Sequence, residues 1–264
     1  MTSQPPVANA HLRTAVDAAE RAAAIHRRDA DVTNAVEYKS RRDLVTAVDR
    51  EAERAVRSLL TQRFPDHAVL GEESGQDGEG TNRWIVDPLD GTTNYCHGVP
   101  HYGVSIALER RGRLDVGVVH HTPTGDTYTA VRGEGAYRNG EPLSVSSTDA
   151  VEASLVGTGF SPGTEPDQRL LEVLQSVVHS AHGVRRFGSA TAELVAVANG
   201  TLDAYYRTDL SPWDTAAGIL LVEEAGGTVT DFRGSHANRR ETVLATNGRS
   251  HDEFERFIRR RLDD

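Results

Sequence analysis

Between Tyr102 and Ser146 the chain keeps a two-residue beat. Val104, Ile106 and Leu108 alternate with Ser105 and Ala107. Gly112 breaks the run, and Leu114, Val116 and Val118 take it up again. Gly125 and Asp126 turn the chain before Thr127–Val131, and Gly133, Gly135 and Asn139–Gly140 supply further turns. Side chains of a strand alternate between its faces, so these runs read as successive hairpins of an antiparallel meander. Whichever of His120 and His121 faces inward, the other faces outward, and both read as structural.

The flanks have a different period. Leu12, Val16, Ala19 and Ala23 put an amphipathic helix over Val7–Arg28. Asp29–Arg42 is polar and irregular and holds Lys39, the sole lysine of the chain. Asp43–Glu53 leads into a second helix with Val48, Ala52, Val56, Leu59 and Leu60 as its stripe, ended by Pro65. Asp49 falls in its first turn, where a carboxylate can simply complement the dipole. Ala68–Leu70 is a short strand ending in Gly71–Ser74 (GEES), and Gln76–Thr81 reads as a solvated loop. After Ala150, strands (155–156, 184–187, 202–206, 228–230, 243–245) alternate with helices (168–178, 190–199, 213–225, 254–262), which implies a partly parallel sheet. The expected fold is therefore mixed α/β. It has an N-terminal α+β half, 1–150, and a C-terminal α/β half, 151–264, joined in one rigid body.

Length and composition set bounds. At 264 residues the chain can bury a full core without disulfides, and its one cysteine, Cys96, makes none possible within the chain. Cys96 reads as a small loop residue. Met1–Ala10 lacks the layout of a signal peptide, and no apolar run is long enough to span a membrane, so a cytoplasmic location is expected. The formal net charge of −10 argues against nucleic acid as a partner. It also means that an anionic substrate needs metal ions or local arginines. The basic cluster of Arg256, Arg259, Arg260 and Arg261 reads as the solvated cap of a last helix.

The chemistry concentrates in Trp84–Tyr95, WIVDPLDGTTNY. Trp84–Val86 reads as a buried strand that stops at Asp87, because Pro88 fixes φ and removes a donor. Asp90 follows, then Gly91, Thr92 and Thr93, which suit a turn opening a helix. Two carboxylates at a strand end offer hard oxygen ligands to a divalent cation. Backbone N–H groups at a helix start suit a phosphate. Glu72 and Glu73 end the preceding strand, and if the two strands are neighbours these acids meet Asp87 and Asp90. Asp214, in the first turn of a later helix, is a further acid, which taken alone reads as a capping residue.

GEES at Gly71–Ser74, WIVDPLDGTTNY at Trp84–Tyr95 and WDTAAG at Trp213–Gly218 together resemble the inositol monophosphatase family. That family lies within the lithium-sensitive, Mg²⁺-dependent phosphatases that include fructose-1,6-bisphosphatases. DLVTAVD at Asp43–Asp49 and EEAGG at Glu223–Gly227 fit too. The resemblance implies a layered αβαβα sandwich, two or three Mg²⁺ per site, and a homodimer. Glu72, Asp87 and the Leu89 carbonyl would hold the first ion. Asp87, Asp90 and Asp214 would hold the second, and Glu72 would help with a third. Thr92, supported by Asp49, would orient a metal-activated water, and the amides of Gly91 and Thr92 would hold the phosphate. Lys39 matches a family lysine near the metals, and Gly188, Ser189 and Ala190 match the family's substrate-contacting turn. Glu73 falls behind the ligands or at the surface.

The departure is at Asp203–Arg207, DAYYR, where the family has a glutamate that accepts hydrogen bonds from ring hydroxyls. Arginine instead suits a carboxylate or second phosphate, unless it turns to solvent or pairs with Asp209. The expected activity is hydrolysis of a small polyol or sugar phosphate of the inositol 1-phosphate type. Arg207 raises fructose 1,6-bisphosphate as an alternative and disfavours a cationic substrate. A non-catalytic regulatory protein on the same scaffold is the competing class. A nucleotide-binding kinase is excluded by the lack of a GxxxxGK[ST] loop.

Overall fold

Each stretch of the meander buries one set of alternate side chains on each face. The structure, a computed structural model, describes residues 9–29, 37–40, 43–45, 47–160, 168–236 and 242–263. Its helices and strands run α1 (Ala10–Asp29), β1 (Glu37–Ser40), β2 (Asp43–Val45), α2 (Ala47–Arg63), β3 (Ala68–Gly71), β4 (Gly75–Asp77), β5 (Asn82–Asp90), α3 (Thr92–Cys96), β6 (Gly103–Arg110), β7 (Arg113–His121), β8 (Asp126–Val131), β9 (Gly135–Arg138), β10 (Glu141–Pro142), β11 (Leu155–Thr158), α4 (Gln168–Ser180), β12 (Gly183–Arg185), α5 (Ala190–Ala198), β13 (Ala204–Arg207), α6 (Pro212–Glu224), β14 (Thr228–Thr230), β15 (Val243–Thr246) and α7 (His251–Asp263). Among these no helix is long and apolar enough to cross a membrane.

The strands form a hairpin β1–β2, an eight-stranded sheet in the order β10-β9-β8-β7-β6-β5-β3-β4, and a five-stranded sheet in the order β12-β11-β13-β15-β14. One face of the large sheet, with Trp84, Val86, Val104, Ile106, Leu108, Val116 and Val118, packs on the alanine-rich stripe of α1 and on α2. The other face, with Ile85, Ala107, Leu114, Val119 and Tyr128, packs on α5 and α6. These helices also cover the small sheet, whose far side buries Val173, Val177, Phe254 and Ile258 of α4 and α7. The result is the expected αβαβα layering, and the small sheet is parallel only across β12, β11 and β13.

Several local expectations fail. Asp29–Arg42 is not all irregular, because Glu37–Ser40 pairs antiparallel with Asp43–Val45, and Cys96 ends a short helix rather than lying in a loop. Gln76–Thr81 is not all loop, because Gly75–Asp77 pairs as an edge strand with β3. Leu114 does not share a face with Val116 and Val118. A register shift opposite Leu108–Glu109 inserts one residue and turns Leu114 over. The strand beginning at Trp84 does not stop at Asp87: β5 runs through Pro88 to Asp90. A register shift between Asp87 and Asp90 accommodates the proline, since a bulge is where a sheet tolerates a missing donor. The parallel pairing of β3 with β5, Gly71 opposite Val86, brings the ends of both strands together.

Candidate active site

The bulge in β5 gathers its acids. Asp87 and Asp90 are buried at the strand end, and Asp214 enters from the first turn of α6. One carboxylate oxygen of each lies within 4.8 Å of the others. Burial and the charges of Glu72, Asp90 and Asp214 push the Asp87 carboxyl well above the usual carboxylate range. The donor set is all hard oxygen, and its uncompensated repulsion is what a bound cation relieves, so the residues fit a divalent metal. Glu72 is half-buried, and its amide donates to the Val86 carbonyl at 3.2 Å.

Each acid has its own anchor. The Leu89 amide donates to Asp87 Oδ1 at 3.0 Å. Asp90 Oδ2 accepts from Ser189 Oγ at 2.6 Å, from the Thr191 amide at 2.8 Å and from Thr191 Oγ1. Asp214 Oδ2 accepts from the Ser211 amide at 2.6 Å, half of a capping box. Capping and clustering are thus compatible roles for Asp214. The buried Asp49 likewise does more than complement a dipole. Its Oδ1 accepts from Thr92 Oγ1 at 3.0 Å, while Thr92 Oγ1 also lies 3.0 Å from the Leu89 carbonyl. Gly91 precedes α3 in the left-handed region, φ 90°, and a Cβ there would meet the His101 carbonyl at 2.7 Å.

The Gly188–Ala190 turn lies against this centre. Asn94 Nδ2 ties it down by donating to the Phe187 and His101 carbonyls at 2.8 and 2.7 Å. Ser189 and Ala190 are both buried, and the Ser189 hydroxyl serves Asp90 and the Ala192 amide. Arg207, half-buried on β13, does not face away from the centre. Burial opposes its charge, but Tyr205, Asp214 and Asp90 outweigh that and push its pKa up. The Tyr205 hydroxyl is buried against the Arg207 guanidinium, which is its partner. Lys39 lies on β1, and its side chain is outside the described residues. Cys96 sits in α3, its thiol pushed up by burial and by the Asp49 charge.

Four supporting residues escape a reading of the sequence. Glu53, buried on α2, accepts from the Glu73 and Ser74 amides at 2.7 and 3.1 Å, from Ser74 Oγ, and from Arg57 Nε at 2.9 Å. It thereby shapes the turn that carries Glu72. An acid and a base four apart on the inner side of an amphipathic helix was the available signal. Thr191 holds Asp90 and had none. Glu193 Oε1 accepts from the Phe187 amide at 2.7 Å, and burial pushes its carboxyl up to about 8. His26 is the fourth: it is fully buried, and burial pushes its ring down to about 3.

The inositol monophosphatase family model matches residues 8–261. A Pseudomonas aeruginosa protein called Nus factor SuhB is 44% identical over 239 residues, covering 88% of this chain and 87% of that one. Inositol-1-monophosphatase of Rhizobium meliloti is 44% identical over 203 residues, with 75% and 76% covered. The crystal structure of extragenic suppressor protein suhB from Bartonella henselae superposes with a TM-score of 0.91 at 37% identity, covering 95% of this chain and 98% of that one. With motifs, layering and whole-length similarity in agreement, the chain belongs to the inositol monophosphatase family.

Proposed function

We propose that the chain is a Mg²⁺-dependent phosphomonoesterase acting on a small polyol or sugar phosphate of the inositol 1-phosphate type. The observation that carries this reading is the meeting of Asp87, Asp90 and Asp214, from segments 124 residues apart (214 − 90), beside the Asp49–Thr92 contact. Glu72, Asp87 and the Leu89 carbonyl would hold one ion, and Asp87, Asp90 and Asp214 a second. Glu72 is available to a third. When bound, the ions supply neutralisation of phosphoryl oxygens, acidification of a water and stabilisation of the leaving alkoxide.

The protein's own part is positioning. Asp49 Oδ1 and the Leu89 carbonyl can only accept, so the Thr92 hydroxyl proton is committed to them. Its oxygen lone pairs then receive a hydrogen from water and leave that water's oxygen aimed at phosphorus. The amides of Gly91 and Thr92 would take the phosphoryl oxygens. No covalent nucleophile is needed, and burial keeps the Cys96 thiol from serving as one. Gly188, Ser189, Ala190, Arg207 and Lys39 are assigned to the substrate side. The half-buried cation Arg207, whose guanidinium has more donors than its Tyr205 partner can take, favours a distal anionic group, with fructose 1,6-bisphosphate as the alternative substrate. In this reading the halves 1–150 and 151–264 work as one catalytic unit. Lithium sensitivity, a homodimer and a cytoplasmic location belong to the same reading.

Release of phosphate from inositol 1-phosphate, with and without Mg²⁺, tests it. Turnover should require the ion and collapse in Asp90→Asn; release by that variant at the native rate would show that the assigned site is wrong. The relatives that carry the name Nus factor SuhB favour a second, non-catalytic regulatory reading. A native chain that binds Mg²⁺ but turns over no phosphomonoester supports that one.

A further inference from the structure

His26 lies in the last turns of α1 and is caught at three points. Its Nε2 is 3.0 Å from the Pro88 carbonyl, its Nδ1 is 3.1 Å from Thr122 Oγ1, and its own carbonyl accepts from Tyr95 Oη at 3.0 Å. A carbonyl can only accept, so Nε2 carries the proton and Nδ1 receives one from Thr122. Tyr95 and Tyr102 wall the ring, with centroids at 6.0 and 6.3 Å. The neutral ring is fully satisfied.

The consequence lies in the peptide unit it grips. The Pro88 carbonyl and the Leu89 amide belong to one rigid plane. On the far edge of that plane the Leu89 N–H holds Asp87 Oδ1 at 3.0 Å. Rotating the plane to release the carbonyl would swing the N–H off the carboxylate. Donation into the carbonyl also polarises the unit and strengthens its N–H as a donor. Pro88 has no amide of its own, so the bulge has no main-chain donor there to hold it.

We infer that His26 is a positioning residue of the metal site: gripping the Pro88 carbonyl, it orients the Asp87 carboxylate through the Pro88–Leu89 peptide. This rests on the Mg²⁺ reading above. Both ring nitrogens are already taken, by Pro88 and Thr122, so His26 acts only through the peptide, and Thr122 serves by fixing its tautomer.

The test is calorimetric titration of Mg²⁺ into the full-length native chain and into His26→Leu, His26→Gln and Thr122→Val. His26→Leu fills the space without a donor and should lose about tenfold in Mg²⁺ affinity, as loss of a partner behind a ligand does. His26→Gln keeps an N–H of similar reach and should restore most of it. A purely structural role would lower the melting temperature of the metal-free protein and leave the affinity alone. Native-like Mg²⁺ binding by a folded His26→Leu variant therefore overturns the inference. Should that variant fail to fold, Thr122→Val decides: about threefold weaker binding supports the inference, and unchanged binding overturns it. A native chain that binds no Mg²⁺ refutes the underlying metal reading, and this inference with it, whereas native binding matched by His26→Leu refutes the inference alone.

Discussion

The carboxylate of Glu53 lies directly over Gly71: a Cβ added to Gly71 would stand 2.5 Å from Glu53 Cδ. A helix side chain thus occupies the space that any other residue at 71 would need, and from there it receives both amides of the Glu72 turn's far side. Gly71→Ala is expected to push Glu53 off those amides. The stability cost should be about 1–3 kcal/mol, as for other overpacked sites, read by urea denaturation. Glu53→Ala should cost about 1–2 kcal/mol by leaving the half-buried Glu73 amide and Arg57 guanidinium without their acceptor. Both should weaken the Mg²⁺ response, because Glu72 loses its frame.

Thr92 and Asp49 should fail together. Thr92→Val removes the hydroxyl proposed to receive the water, and Asp49→Asn exchanges a pure acceptor for a group that can also donate. Each is expected to lower kcat by about 10²–10⁴-fold, the range of a positioned proton partner, with little change in KM. The double variant should be scarcely worse than the poorer single one, since the two act as a unit. Independent, multiplying losses would contradict the contact seen at 3.0 Å.

Arg207 sets the substrate side of the reading. Its exchange for the family's glutamate, Arg207→Glu, should move the kcat/KM ratio of fructose 1,6-bisphosphate to inositol 1-phosphate by about 10–100-fold toward the latter, as loss of a charged hydrogen bond implies. A ratio that stays put removes Arg207 from substrate recognition and leaves its role to packing near Tyr205.

Glu193 makes stability depend on pH. Burial is the main cause that raises its carboxyl from 4.5 to about 8. Asp90 adds to this, and the Phe187 amide, Arg207 and Arg186 oppose it. Between those two values the folded chain keeps a proton that the unfolded chain has released. The stabilisation is therefore complete below pH 4.5 and is lost as pH climbs through 8, on the order of 5 kcal/mol over the interval. Glu193→Gln cannot ionise. It should match the native chain at pH 5 and exceed it at pH 9 in chemical denaturation; equal native and variant curves at both pH values would contradict the buried, proton-bearing state.

The parts of the site that could be read from sequence are those in which local chain chemistry and ligand chemistry coincide. Asp87, Asp90 and Thr92 fall within six residues of strand, bulge and turn, and their spacing announces both the bend and the oxygen ligands. The layering was likewise legible, because the alternation over β6–β8 and the alanine stripe of α1 are periodic. What stayed hidden is held through space. Glu53 meets Glu73 across 20 positions, His26 meets Pro88 across 62, and Thr191 meets Asp90 across 101. Pro88 misled for the same reason: a proline ends a strand by local rules, yet here a bulge and a distant imidazole accommodate it. Leu114 shows how one inserted residue reverses a face that composition alone cannot assign.

The two-sided burial of α6 has a bearing on how the chain is made. Eight successive residues, Thr215–Val222, are buried because a sheet lies on either side. When synthesis has reached residue 150, the large sheet has its α1–α2 cover, but Ile85, Ala107 and Val119 still await theirs. The nascent protein at that stage presents an uncovered apolar wall and lacks Asp214. Docking of α6 covers that wall and supplies Asp214 together, so the acidic cluster is complete only once the apolar surface is buried.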